Sequence, residues 1–408
     1  MRQGCRIGRE PRLSLRLNHR PIRKGQGASE NKASHVYIHI PFCIRKCHYC
    51  DFVSYPGQAP EVMFAYCLDL EREMALVAGK WQPGPVATVY IGGGTPTLLP
   101  APQLGRLLEA LEHFFGLEPG AEVTVEANPG TVDVRKLKIL KAAGVNRLSL
   151  GVQSLDDDLL AAMGRIHRRR DVYEALDQAR RAGFRNINVD LIFGLPGQTL
   201  KAWKATLKEI VSLEPEHVSC YCLQVEEDTP WGRQAAAGVL SLPGEDMELA
   251  MYREAREFLA AAGYEQYEIS NFARPGYRCR HNIAYWLNLP YLGLGAAAAS
   301  HWQGRRWQNC RDLQEYHHAL ACGRLPREEM EILTPRQMMA ETMFMGLRLI
   351  EGVDLEDFQR RFGVDAREVY GRELEGLHRT GLLEEREGRL KLTEKGLTLA
   401  NEVFIQFI

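Results

Sequence analysis

Three cysteines, Cys43, Cys47 and Cys50, stand in the segment HIPFCIRKCHYCDF at a C-x3-C-x2-C spacing. Soft thiolates gathered on one short loop suit zinc or an iron-sulfur cluster. A structural zinc wants four protein ligands, and the only local fourth is His48, which directly follows Cys47 and is poorly placed to share its metal. A cubane cluster on three thiolates leaves one iron with an open coordination site for a ligand that is not protein. The heme-attachment pattern C-x-x-C-H does not match, since three residues separate Cys43 from Cys47. A thioredoxin-like reading of Cys47 and Cys50 leaves Cys43 unexplained.

A second run that could do chemistry is Gly92-Gly93-Gly94-Thr95-Pro96-Thr97. Its glycines let backbone amides come close to a ligand and reach conformations closed to other residues. No Lys-Ser or Lys-Thr follows, so it is not a phosphate-binding Walker loop. The plain alternative is a tight strand-to-helix turn.

Elements that can position these residues follow from periodicity. From residue 35 onward, short β-branched runs alternate with amphipathic stretches of helical period, as in parallel βαβ units. Six strands are expected at 36–40, 87–91, 122–126, 147–151, 187–193 and 217–223, with helices near 61–79, 102–115, 132–143, 171–182 and 199–212. The expected fold is therefore α/β, a partial (β/α)6 TIM-like barrel rather than a closed eight-stranded one. Strand ends in such a barrel meet at its C-terminal rim. That rim would gather the cysteine loop, the glycine loop, Glu126, Gln153 and Asp190, with Arg165 in the helix after the fourth strand.

The rhythm changes after residue 245 to a helix, an aromatic-rich segment and a small-residue run from Gly293 to Ser300. From 331 to 408 three helices precede GLLEEREGRLKLTEKG, a candidate two-stranded wing. The expected domains are thus a 1–34 extension, a 35–240 barrel, a 241–330 accessory region and a 331–408 winged-helix-like tail. That tail has 11 Lys or Arg against 15 Asp or Glu. Its sign favours a packing or interaction module over a DNA reader.

Composition supports a folded chain of several units. Of 408 residues, 45% are hydrophobic and 25% charged, and no run approaches the roughly 18 apolar residues of a transmembrane helix. Ten cysteines are too sparse for a disulfide scaffold, and no secretory h-region precedes them, so a reducing, cytoplasmic setting is expected. The net charge of -1 averages +7 over residues 1–34 with -8 over the rest, and an acidic body is no nucleic-acid footprint. Seven arginines from Arg2 to Arg23 recur at helical steps, but Pro11 and Pro21 interrupt any helix. A disordered extension is the expectation for 1–34, with a mitochondrial transit peptide as the alternative.

The three-cysteine loop after a first strand resembles the radical S-adenosylmethionine (SAM) superfamily. That resemblance implies a 4Fe-4S cluster on Cys43, Cys47 and Cys50, SAM on the fourth iron, and an electron donor for the cluster. GGGTPT at 92–97, GVQS at 151–154 and DLIFGLPGQT at 190–199 resemble the branch containing oxygen-independent coproporphyrinogen III oxidase. In that branch the positions of Tyr37, Gly93, Gly94, Thr95, Glu126, Gln153, Arg165 and Asp190 hold SAM, and Tyr49 is an aromatic of the same site. The oxidases carry a further cysteine two residues after the third cluster cysteine, where this chain has Phe52.

CxxxCxxCxF and the later H-N-x-x-Y-W, here His281, Asn282, Tyr285 and Trp286, instead resemble the heme chaperone HemW family. This implies heme as cargo, passed to acceptor proteins, with oxidase activity as the alternative. His281 is the candidate axial ligand, Cys279 a rival and His301 a weaker one, and Arg278 or Arg280 could pair with propionates. Cys5, Cys67, Cys220, Cys222, Cys310 and Cys322 are expected to be core or incidental.

Overall fold

The computed structural model describes residues 34–408 apart from 82 and 329. The expectations for residues 1–33 therefore lie outside the described residues. The six expected strands are present as β1 (His35–Ile40), β2 (Val86–Gly93), β3 (Leu117–Ala127), β4 (Arg147–Gln153), β5 (Ile187–Phe193) and β6 (His217–Cys222). They pair in parallel in that order, each with the next.

The sheet does not stop at six strands. A seventh, β7 (Tyr291–Leu294), adds in parallel to the free edge of β1, and Ala299–Trp302, Arg305–Gln308 and Glu331–Ile332 continue it antiparallel. At the other edge Asn271–Ala273 pairs antiparallel with β6. The result is an open 12-stranded sheet, with no β1–β6 closure. Much of the region between 241 and 330 thus builds onto the barrel sheet.

Alternation along each strand divides its side chains between two environments. Val36, Ile38 and Ile40 of β1, Val89 and Ile91 of β2, Val123 and Val125 of β3, and Leu148 and Leu150 of β4 are buried under the helices. Among the helical partners are Leu70, Met74 and Val77 of α1 (Pro60–Trp81). The intervening residues are polar: Tyr37 and His39, Thr88 and Tyr90, Thr124 and Glu126, Arg147 and Ser149, Asn188 and Asp190, His217 and Ser219. Cross-strand register puts Tyr37 beside Tyr90, Tyr90 beside Thr124, and Asp190 beside Ser219. They form the polar inner wall of the half-barrel.

A second core runs from Met343 to Phe407. The wing hairpin Leu383–Arg386 and Arg389–Leu392 turns through Glu387 and Gly388, both at positive φ, as a two-residue hairpin turn requires. Val353–Asp354 joins it as a third strand that the sequence reading lacked. Main-chain bonds from Ile269 to Arg348 and from Ile350 to Tyr267 fasten this part to the barrel. Among the described residues, no helix is long and apolar enough to cross a membrane.

Candidate functional site

The cysteine loop leaves β1 through Phe42–Cys43, which pairs with Tyr55–Pro56. It is clamped onto the C-terminal end of α2 (Asp157–Ala162). Arg45 donates to the Gly164 carbonyl at 2.7 Å, the His48 amide to that of Met163, and His48 Nδ1 bonds the Ala162 carbonyl at 2.9 Å. His48 thus helps fasten the loop through its amide and Nδ1.

Cys43, Cys47 and Cys50 are free thiols, each partly exposed. Thr95 Oγ1 points at Cys43 Sγ (3.8 Å) and Arg165 Nη1 at Cys47 Sγ (3.6 Å). Burial pushes the Cys50 thiol up to about 11 and raises that of Cys43. They stay protonated near neutral pH until a metal displaces the protons. Among the described residues no three His, Cys, Asp or Glu side chains converge on a single-ion position. Thiolates that each bind their own iron corner of a cubane need not converge, so this donor set fits a three-cysteine cluster better than one zinc ion.

Arg165 follows α2 in a loop; the sequence reading placed it within a helix, but Gly164, at φ +77°, ends the helix first. Its guanidinium is buried and bonds the Gly151 carbonyl and Asn128 Oδ1. Tyr49 packs on Trp231 with ring centroids 6.0 Å apart. One arginine thus ties the cysteine loop to the ends of β3 and β4.

The glycine loop behaves differently from expectation. Its amides are spent inside the protein: Gly93 N donates to Glu126 Oε2 (3.1 Å), Gly94 N to the Ile40 carbonyl (2.9 Å) and Thr95 N to that of Phe42 (2.7 Å). With those amides taken, the loop is no amide nest for an anion. The glycines are required by close approach, since a Cβ on Gly93 would lie 2.4 Å from the His39 ring and one on Gly94 2.6 Å from the Phe42 carbonyl.

Glu126 also accepts from Tyr90 OH at 2.9 Å. Burial, then repulsion from Asp190, pushes its carboxyl up to about 7. Asp190 lies within β5 below the rim, held by Ser149 Oγ and Asn188 Nδ2. Gln153, at φ +66°, sits where β4 shifts register against β5. Tyr37 bonds His39 Nδ1 at 3.0 Å and stacks on Tyr90.

A pH prediction follows from two carboxyls. Glu73, which ties α1 to Tyr316, Asn309 and Gly295, is likewise raised to about 7 by burial. A folded-state pKa above the usual 4.5 means the native protein binds the proton more tightly than the unfolded chain. Their contribution to stability is therefore fully present at low pH and lost as pH rises from about 4.5 to about 7. Urea unfolding across that window should show a smaller loss in Glu126→Gln than in wild type.

The structure places His281 in the interior. It lies on α3 (Arg280–Trp286), with Nδ1 bonded to Thr88 Oγ1 (2.7 Å), Nε2 to Tyr285 OH (3.0 Å) and its ring stacked on Tyr90. Glu122 accepts the Arg280 and His281 amides at the start of the helix. Both imidazole nitrogens are occupied, so His281 meets heme iron only in a conformation where α3 has moved. The rivals are no better placed. Cys279 is buried against Glu122, and His301 is buried in the sheet extension. Arg278 pairs with Glu351 and Glu265, and Arg280 with the Gly120 carbonyl.

Several site residues escaped the sequence reading: Arg45, His39, Tyr90, Asn128 and Arg147. Arg147 is 1% exposed, with no carboxylate inside ion-pair distance and its Nε unpartnered among the described residues. The signal for the strand members was available, because polar residues recur at every second position of β1 to β6.

Residues 37–210 match the Radical SAM superfamily model and residues 333–399 the HemN C-terminal domain model. The solved structure of coproporphyrinogen III oxidase (HemN) from Escherichia coli, described as a radical SAM enzyme, superposes with a TM-score of 0.80 at 26% identity. The match covers 93% of this chain and 90% of that one. The heme chaperone HemW of Bacillus subtilis is 40% identical over 376 residues, 91% of this chain and 98% of its own. That of Lactococcus lactis is 38% identical over 379 residues, 92% and 98% respectively. With a radical SAM core, a HemN-type C-terminal domain and end-to-end likeness to these relatives, the chain belongs to the heme chaperone HemW family.

Proposed function

We propose that the protein is a heme chaperone that binds heme and passes it to acceptor proteins. The observation that carries this is the likeness to HemW relatives over nine-tenths of the chain. Phe52, 67% exposed beside the cysteine loop, stands where the oxidases carry a further cysteine and agrees with it.

Cys43, Cys47 and Cys50 are the proposed ligands of a 4Fe-4S cluster. Such a cluster supplies one-electron chemistry and an open iron for SAM. This chain's own residues then have distinct tasks. Arg165 holds the loop against β3 and β4 and directs positive charge at Cys47. Glu126 is suited to the ammonium of SAM, and Tyr90 holds it in place. Asp190 and Gln153 offer polar groups further along the same wall.

Mixing heme-loaded protein with an excess of apomyoglobin tests the reading. The expected result is a myoglobin Soret spectrum growing in at the expense of the loaded protein. Failure of the full-length protein to bind hemin, or hemin retained without transfer, would overturn it.

A further inference from the structure

Cys43 and Cys47 are joined, outside the cysteine loop, by a continuous run of side-chain hydrogen bonds whose middle member is Asn128. β3 ends at Ala127, and Asn128-Pro129-Gly130-Thr131 turns directly after it. The Thr131 amide donates to the Asn128 carbonyl at 3.0 Å and Gly130 lies at φ +87°, as in a type II turn with proline then glycine at its centre. The turn sets the Asn128 side chain between Thr95 of the glycine loop and Arg165 after α2.

Which way the amide faces follows from its partners. A guanidinium carries donors only, so Oδ1 must be the atom that meets Arg165 Nη2. Nδ2 then donates to Thr95 Oγ1 at 2.8 Å. With its oxygen accepting there, the buried Thr95 hydroxyl keeps its single proton for Cys43 Sγ, 3.8 Å away. The other arm of the guanidinium, Nη1, donates to Cys47 Sγ at 3.6 Å. One amide thus orients a side-chain donor toward each of two cysteine sulfurs. Hydrogen bonds to a cluster's sulfurs help set its potential. Donors and positive charge favour the reduced form, which holds one more negative charge.

We propose that Asn128 is a positioning residue that raises the reduction potential of the cluster, by turning the Thr95 hydroxyl toward Cys43 and the Arg165 guanidinium toward Cys47. The proposal rests on the cluster reading of the three cysteines, and Asn128 acts through its neighbours rather than on a sulfur. Aspartate at this position keeps the shape and reverses the effect. Its second oxygen can only accept, so the Thr95 proton turns from Cys43 to the carboxylate, and the added charge offsets that of Arg165. Alanine merely releases both neighbours.

The test is an anaerobic redox titration of the reconstituted full chain, followed by the electron paramagnetic resonance signal of the reduced cluster, in wild type, Asn128→Ala, Asn128→Asp and Thr131→Val. Thr131 Oγ1 donates to the Asn128 carbonyl at 2.7 Å, so the last variant loosens the turn but keeps the side-chain amide. Thr131→Val should titrate as wild type does. Asn128→Ala should titrate lower and Asn128→Asp lowest, by at least a tenfold shift in the one-electron equilibrium, about 59 mV. Asn128→Asp, which keeps the side chain's shape, carries the test where Asn128→Ala loads poorly. A wild-type potential in loaded Asn128→Asp overturns the proposal, and an equal fall in Thr131→Val overturns the assignment to the amide. Wild-type protein that takes up no iron and sulfide instead overturns the cluster reading beneath it.

Discussion

Replacing Cys43, Cys47 and Cys50 together by alanine should abolish iron and sulfide uptake on anaerobic reconstitution, with complete loss of the cluster's visible absorbance. The apoprotein should melt within a degree or two of wild-type apoprotein. Both halves follow from where the thiols sit. They are partly exposed on a loop whose position is set by other groups: Arg45 on Gly164, the His48 amide on Met163, and Trp231 N on the His48 carbonyl. Surface substitutions away from packing features usually stay within about 0.5 kcal/mol. The wild-type holoprotein should melt higher than its apoprotein, because a ligand that binds only the folded state stabilises it, and the triple variant should lose that difference. Cys67→Ala and Cys220→Ala supply the contrast. Both thiols are buried in the barrel core, so these variants should lose stability yet take up iron as wild type does.

Gly93→Ala should be the most damaging single substitution in the site, costing about 3–5 kcal/mol and weakening SAM binding by more than tenfold. Two penalties add. At φ +110° an alanine is strained by roughly 1–3 kcal/mol. Its Cβ would also lie 2.4 Å from the His39 ring, which cannot swing away freely. His39 is held by Tyr37 OH at Nδ1 and by the Val53 carbonyl at Nε2, and giving up buried bonds costs about 1–3 kcal/mol each. Gly116→Ala isolates the first penalty. Its φ is +73°, but nothing lies within 4 Å of the added carbon. Denaturant unfolding of the two variants, with isothermal titration of SAM into reconstituted protein, separates strain from steric displacement. Equal losses in both would show that contact with His39 is unimportant.

Most of the barrel was legible because its code is local. Strands β1 to β6 announce themselves by β-branched runs, and each expected range falls within about a residue or two of the observed strand, apart from β3, whose start extends back to Leu117. The edge extensions were not legible. Tyr291–Leu294 reads as four unremarkable residues, and only its long-range pairing with β1 makes it a strand. The same limit applies to Val353–Asp354, which gains its role by meeting Leu390 and Arg389.

Within the site, residue type and spacing identified the chemistry but not the hydrogen bonding. The glycine loop was expected to present amides, yet Glu126, Ile40 and Phe42 consume them, and those partners lie 33 to 54 residues away in sequence. His281 was a ligand candidate through the family resemblance alone, since a histidine among aromatics is more often packed and hydrogen-bonded, as it is here. Thr88, nearly two hundred residues distant, is what holds its ring.

This chain shares the fold of the oxidase, and the proposed heme delivery is what separates the two. The direct measurement is an anaerobic assay of the reconstituted protein with SAM, a strong reductant and coproporphyrinogen III. The expected result is no protoporphyrinogen IX above a control lacking protein, from the same preparation that binds hemin and gives it up to apomyoglobin. Sustained formation of protoporphyrinogen IX over many turnovers would contradict it.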